Sequence, residues 1–296
     1  MTEFLQQLLN GLSLGAIYAL LAIGYTMVYG VLRFINFAHS DVFMVGAFIG
    51  FYAAKVIPTG SIGGGLAILL AAMAGCGLLG MAIERFAYRP LRRAPTLNVL
   101  ITAIGVSLLL EYSGQKFFGA APQRFPPVFP TRDFRLGHLT ISSNQLTVIA
   151  VTAILIVALR WIVFRTRIGT AMRAVALNPQ AAALVGINTD IVISFTFALG
   201  SALAGAGGIL YALNYPSIDP LMGVMPGLKA FVAAVLGGIG SIPGAALGGL
   251  ILGIVETFVG GSPWSTGKDA IAFAILIVIL LFRPAGILGR MTVEKV

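Results

Sequence analysis

The chain has 296 residues, of which 58% are hydrophobic and only 10% charged, and its mean hydropathy is +0.97. A soluble globular domain carries about 25% charged residues, and a disordered chain needs far less apolar material, so both classes are excluded. What remains is an all-α, polytopic transmembrane bundle, because helices satisfy their own backbone hydrogen bonds in lipid. The formal charge of +9 sits in short basic clusters between apolar runs, where it orients helices and meets anionic membrane lipids. No basic stripe is interleaved with aromatics, so a nucleic-acid partner is not expected.

Residues Met1 to Gln7 lack a basic region and a small-residue cleavage site, so Leu8–Leu32 reads as a retained span. Further spans are expected over 42–57, 63–83, 96–113, 145–164, 190–213, 228–239, 244–260 and 268–282, about eight or nine crossings at ~20 residues each. The seventh is too short to cross alone and reads as a tilted or partial helix. No stretch between spans is long enough for a separate catalytic domain, so residues 1–296 are expected as one transmembrane domain. Cys76 is the single cysteine, which excludes a disulfide within the chain.

Arginine density sets the orientation. The loop Glu84–Arg93 holds Arg85, Arg89, Arg92 and Arg93, a second loop at 165–189 opens with Arg165, Arg167 and Arg173, and the tail carries Arg283, Arg290 and Lys295. All three are expected to be cytoplasmic. The proline-rich segment 114–144 is expected to be external, which leaves the N-terminus outside and the C-terminus inside. Small residues recur four apart at Gly11/Gly15, Gly46/Gly50, Ser201/Gly205, Gly244/Gly248 and Gly249/Gly253, a spacing that lets helix backbones approach closely. A long span, a polar interruption (Arg33–Asp41) and a Gly-rich helix in the first half are echoed by span 190–213, Asn214–Pro220 and a Gly-rich pair in the second. That order suggests an inverted-topology repeat with broken helices.

No catalytic engine is legible. The string from Gly261 to Asp269 has one residue too many between its glycines and Asp269 in place of the Ser or Thr of a phosphate-binding loop. In Gly237–Gly244, Pro243 interrupts the dinucleotide pattern; the run reads equally as a helix break lining a cavity or as a tight turn between helices. His39 and His138 are far apart, and Glu111 and Glu256 are isolated, so no acid–base or metal set forms. Ionisable residues in or beside spans are candidates for a translocation path. Those near an interface, His39, Asp41, Asp219 and Lys229, are expected chiefly as solvated helix ends, while Glu256 is balanced between the two roles. The path candidates are Asn36, His39, Asp41, Gly237, Gly240 and Glu256.

The most specific segment is Arg165–Asn188. Asn178 caps a helix that Pro179 begins, the Ala181–Val185 stretch continues it, and Gly186 ends it. Leu177–Ile187 contains no charged residue, which is unusual for a free cytoplasmic loop. Such a helix reads as a docking knob for a partner, with Asn178, Pro179, Ala181, Ala182, Leu184 and Gly186 as its expected contact set.

Four stretches resemble the LivH-type permeases of bacterial branched-chain amino acid ABC transporters, and the likeness runs over essentially the whole chain. They are Asn10–Gly30 (NGLSLGAIYALLAIGYTMVYG), Ile35–His39 (INFAH), the Asn178–Ile187 segment and Ala233–Ala245 (AAVLGGIGSIPGA). Ser40 stands where such permeases usually have glycine. The resemblance implies that residues 178–187 sit on an ATP-binding subunit. It further implies a second permease chain (a related LivM-type chain or another copy), two cytoplasmic ABC ATPases and a periplasmic substrate-binding protein, all at the bacterial inner membrane. ATP would then be bound by the partners, and this chain would need no cofactor and perform no catalysis. Branched-chain amino acids head the expected substrates, with other amino acids, urea and short amides open. The rival reading is a secondary transporter or channel that works without an ATPase.

Overall fold

The computed structural model describes residues 2–92, 94–137 and 139–289; Arg93, His138, Arg290 and Lys295, which entered the readings above, lie outside them. Eleven α-helices carry the described chain. In the first half these are α1 (Thr2–Leu32), α2 (His39–Ala53), α3 (Ile62–Ile83) and α4 (Thr96–Phe118). Next come α5 (Ser143–Arg165), α6 (Arg167–Leu177) and α7 (Pro179–Leu184). The second half holds α8 (Thr189–Asn214), α9 (Val224–Gly237), α10 (Ile242–Gly260) and α11 (Lys268–Phe282).

Seven of them, α1, α3, α4, α5, α8, α10 and α11, are long and apolar enough to cross a membrane. Every expected span is helical, but α2 and α9, at 15 and 14 residues, are both shorter than the ~20 residues of a crossing. Six of the helices start at a side-chain cap. Ser61 accepts from the Gly64 amide, Ser142 and Gln145 form a capping box, and Thr166, Asn178, Asn188 and Ser241 each accept an amide of the turn they open.

Small residues decide which helices meet. A methyl group built on Gly11 would come within 2.8 Å of the Ile254 Cα, and one on Gly15 within 2.8 Å of the Leu250 Cα, so α1 and α10 lie antiparallel with backbones in contact. In the same way Gly205 of α8 faces Ala72 and Cys76 of α3, and Gly80 of α3 faces Ser201. At the centre α1 and α8 run antiparallel to each other. Asn214 donates to Ser13 at one end (2.8 Å), and Gly200 packs on Gly24 further along. The units α1–α2–α3 and α8–α9–α10 therefore repeat one order with opposite direction, and each first helix packs on the other unit's third helix. This is the inverted-topology arrangement expected from the order of long span, break and short helix. Helix α1 is almost wholly buried, whereas α4, α5 and α11 turn most of their apolar surface outward.

Three expectations are corrected. The arginine-rich segment 84–93 is not a loop: α3 continues through a π-helical turn, Glu84–Tyr88, and a 3₁₀ turn, Arg89–Leu91. Ion pairs hold it there, as Arg89 and Arg92 both reach Asp190 at the start of α8 and Arg92 also pairs with Glu84. The segment 165–189 is likewise helical for most of its length. Thr166 breaks the chain, and α6 folds back onto α5 with Arg173 donating to the Val163 carbonyl. Finally, 114–144 holds the end of α4 and short antiparallel pairs. Strand β1 (Gln123–Arg124) pairs with β4 (Ser217–Ile218), and β2 (Asp133–Leu136) with β3 (Leu139–Ser142). These pairs are too short to alter the all-α class.

The bundle has two polar ends. At one, the loop face, the Thr140 amide donates to Gln6 near the start of α1 (3.0 Å), so the N-terminal helix begins on the side of the 123–142 segment. At the other, the arginine face, lie Arg89, Arg92, Asp190, α6, α7 and the turn between α9 and α10.

Candidate functional site

At the loop face five helix ends surround a cleft of about 500 Å³. The start of α1 contributes Gln7, Asn10 and Ser13, and the start of α5 contributes Asn144 and Gln145. The ends of α8 and α10 add Asn214, Tyr215, Glu256 and Thr257, with Lys268 from the start of α11. Amide side chains tie these ends together: Gln145 donates to Asn10 (2.7 Å), and Asn144 donates to the Leu213 carbonyl (3.0 Å).

Glu256 reaches the cleft from within the bundle. Its side chain is 7% exposed and takes a hydrogen bond from the Tyr18 hydroxyl (2.8 Å) and an ion pair from Lys229 (2.6 Å). Lys229 in turn lies 2.6 Å from Asp269 of α11. A lone buried carboxylate costs several kcal/mol, and pairing with hydrogen bonds on both oxygens offsets it. The network thus binds α1, α9, α10 and α11 at one point. Lys229 is not the solvated helix end that its position in the sequence suggested; opposite charges on two membrane helices were the available signal of pairing.

The other path candidates lie elsewhere. Asn36, His39 and Asp41 are buried near the break between α1 and α2. Asn36 accepts from the Tyr88 hydroxyl (2.6 Å), and Asp41 accepts from Ser107 of α4 (2.5 Å). The His39 ring stands edge-on to Tyr25 and against Gly24, its Nε2 without a hydrogen-bond partner among the described residues. The expectation of solvated ends fails for His39 and Asp41, since α2 is buried on every side of its first turns. Ser40 fits there because Gly223 and Gly227 leave room for it. Of the two readings of Gly237–Gly244, the tight turn is the one found. Gly238 (φ +106°) and Gly240 (φ +94°) turn the chain from α9 into α10, and the Leu236 and Gly237 carbonyls accept from the Ile287 and Leu288 amides. Gly237 and Gly240 therefore do not share a cavity with Glu256.

At the arginine face, α7 forms where its caps place it. Asn178 Oδ1 accepts from the Ala181 amide (3.0 Å), and Gly186 leaves the helix at φ +85°, a conformation costly for other residues. Leu184 and Val185 are 89% and 77% exposed, with Leu177 beside them also exposed. Ala182 is the exception within the expected contact set: it is buried against its own chain and faces inward. Asn178, Pro179, Ala181 and Gly186 are exposed.

A bundle of crossing helices built as two inverted units, with a polar cleft at one end and an uncharged apolar helix bared at the other, has the architecture of a membrane permease. The family model described as branched-chain amino acid transport system / permease component matches residues 7–280, and the chain belongs to that family. It is 44% identical, over 99% of its length and 98% of the relative's, to the high-affinity branched-chain amino acid transport system permease protein BraD of Pseudomonas aeruginosa. It is 43% identical to the permease protein LivH of Escherichia coli K12 over the same shares. A probable branched-chain amino acid transport permease protein LivH of Methanocaldococcus jannaschii is 31% identical over 91% of this chain and 88% of its own.

Proposed function

We propose that the chain is the membrane-spanning subunit of an ATP-driven importer in a bacterial inner membrane, for branched-chain or related amino acids. It forms the path, while separate cytoplasmic subunits bind and hydrolyse ATP and a periplasmic protein delivers the substrate. A second permease chain, a related one or another copy, completes the membrane part. The names of its relatives support the substrate class. The observation that carries the reading is α7 and its flanks, where Leu177, Leu184 and Val185 are bared beside an arginine-rich membrane end with no charge among residues 177–187. Covering Leu184 and Val185 on a partner is worth about 1.5–3 kcal/mol each.

The test is purification of the tagged permease in mild detergent from cells that express the neighbouring transport genes. Wild type should bring an ATPase with it. Leu184→Glu, which forces a charge into the docking groove, should lose that ATPase and the uptake that depends on it. A wild-type chain that transports alone in liposomes, without any ATPase, would instead establish the partner-free transporter.

A further inference from the structure

The lining of the loop-face cleft is chemically narrower than a water-filled opening requires. Gln7, Asn10, Asn144, Asn214, Tyr215 and Thr257 offer neutral donors and acceptors, and the aliphatic lining is limited to Leu14 and Leu213. Charge is present but balanced: Glu256 and Lys268 line the cleft, while Lys229 pairs with both Glu256 and Asp269. Opposite charges in a neutral, hydrogen-bonding cleft complement a small dipolar ion better than a net anion or cation. The volume, about 500 Å³, is within the range of small-molecule sites. Acceptor capacity remains for an ammonium group: each Glu256 oxygen keeps a lone pair beyond its bond to Tyr18 or Lys229.

We propose that this cleft binds the charged head of a small zwitterion of the α-amino acid class. Glu256 receives the ammonium, and Lys268 receives the carboxylate. This deepens the permease reading by naming where the ligand meets this chain. With so little aliphatic lining, the cleft reads the head group shared by all α-amino acids and not the hydrocarbon side chain. Selection among side chains then falls to another component.

The test uses the assembled transporter carrying Gln7→Cys, alkylated by a small methanethiosulfonate reagent; native Cys76 is fully buried and out of its reach. Leucine and alanine should slow alkylation equally. The probes 4-methylpentanoate, which lacks the ammonium, and isoamylamine, which lacks the carboxylate, should not. Loss of one charge-assisted hydrogen bond should weaken protection about tenfold in Glu256→Gln, which keeps the shape of the side chain, and about tenfold in Lys268→Gln, at an exposed position with no fold to disturb. Protection by 4-methylpentanoate equal to that by leucine, or no protection by any amino acid, overturns the proposal. Uptake by the same preparation separates the two readings. ATP-driven uptake that continues unchanged after full alkylation removes the cleft from the path and leaves the permease reading standing. Zwitterion protection in a wild-type complex that shows no ATP-driven uptake does the reverse.

Discussion

Ala182 separates what spacing reveals from what packing decides. The Asn178-Pro179 start and the Gly186 stop of α7 are written in local chemistry and were legible. The direction of a side chain on a helix under two turns long is not, because it depends on how α6 and α8 flank it. Ala182 faces inward, and its carbonyl accepts from the Ile187 amide (3.1 Å). Ala182→Glu should therefore lower the melting temperature of the permease purified alone, by burying an unpaired charge. Leu184→Glu should leave that temperature unchanged, and thermal denaturation in detergent distinguishes the two. Lys229 tests the other face. Lys229→Met leaves Glu256 and Asp269 facing an apolar neighbour and should cost about 3–5 kcal/mol. Adding Glu256→Gln to it should restore part of that loss, and a double-mutant cycle on the melting transition reads the difference.

Between elements, the arginine cluster is the instructive case. Its density spoke for a membrane end, and the structure indeed gathers Arg89 and Arg92 at one end of the bundle. The partners were hidden, since Asp190 and Ser194 lie about a hundred positions away in the chain. Their effect is structural: they fasten the π-helical end of α3 to the first turns of α8, directly after α7. The two carboxylates of this cluster differ in exposure. Asp190 is 39% exposed, whereas Glu84 is fully buried between Arg92 and Ser194. Asp190→Ala should thus cost at most about 1 kcal/mol. Glu84→Ala removes the buried partner of Arg92 and Ser194, leaves Arg92 to Asp190 alone, and should cost more, roughly 1.5–3 kcal/mol. Paired unfolding curves of the two variants check the order.

For the whole molecule, the order of long span, break and Gly-rich helix suggested two repeating units but not how they interlock. Small-residue spacing marks helices that approach closely without saying which pairs meet, and it occurs in four of these helices at once. The cleft was legible only through Glu256, because its amides come from helix ends that the spans merely bordered. The seam of α1 and α10 admits no side chain at its crossing. Gly253→Leu, directed at the Gly15 backbone, should abolish folded protein in membranes. Gly105→Ala, in α4 with open space around it, should be tolerated or stabilise the lone chain by up to about 1 kcal/mol. Size-exclusion profiles of the two variants give the contrast.

That seam also imposes an order in time. Helix α1 leaves the ribosome before α10, which covers its glycine face and follows roughly 240 residues later; at 5–20 residues per second this is about ten to fifty seconds. Helix α3 waits for α8 in the same way. During this interval the first half sits in the membrane with close-packing surfaces open and nothing to fill them, exposed to insertion quality control. A chain cut short before α10 would leave α1 permanently in that state, which makes the last crossings, and not the first, the point at which the molecule commits to its native form.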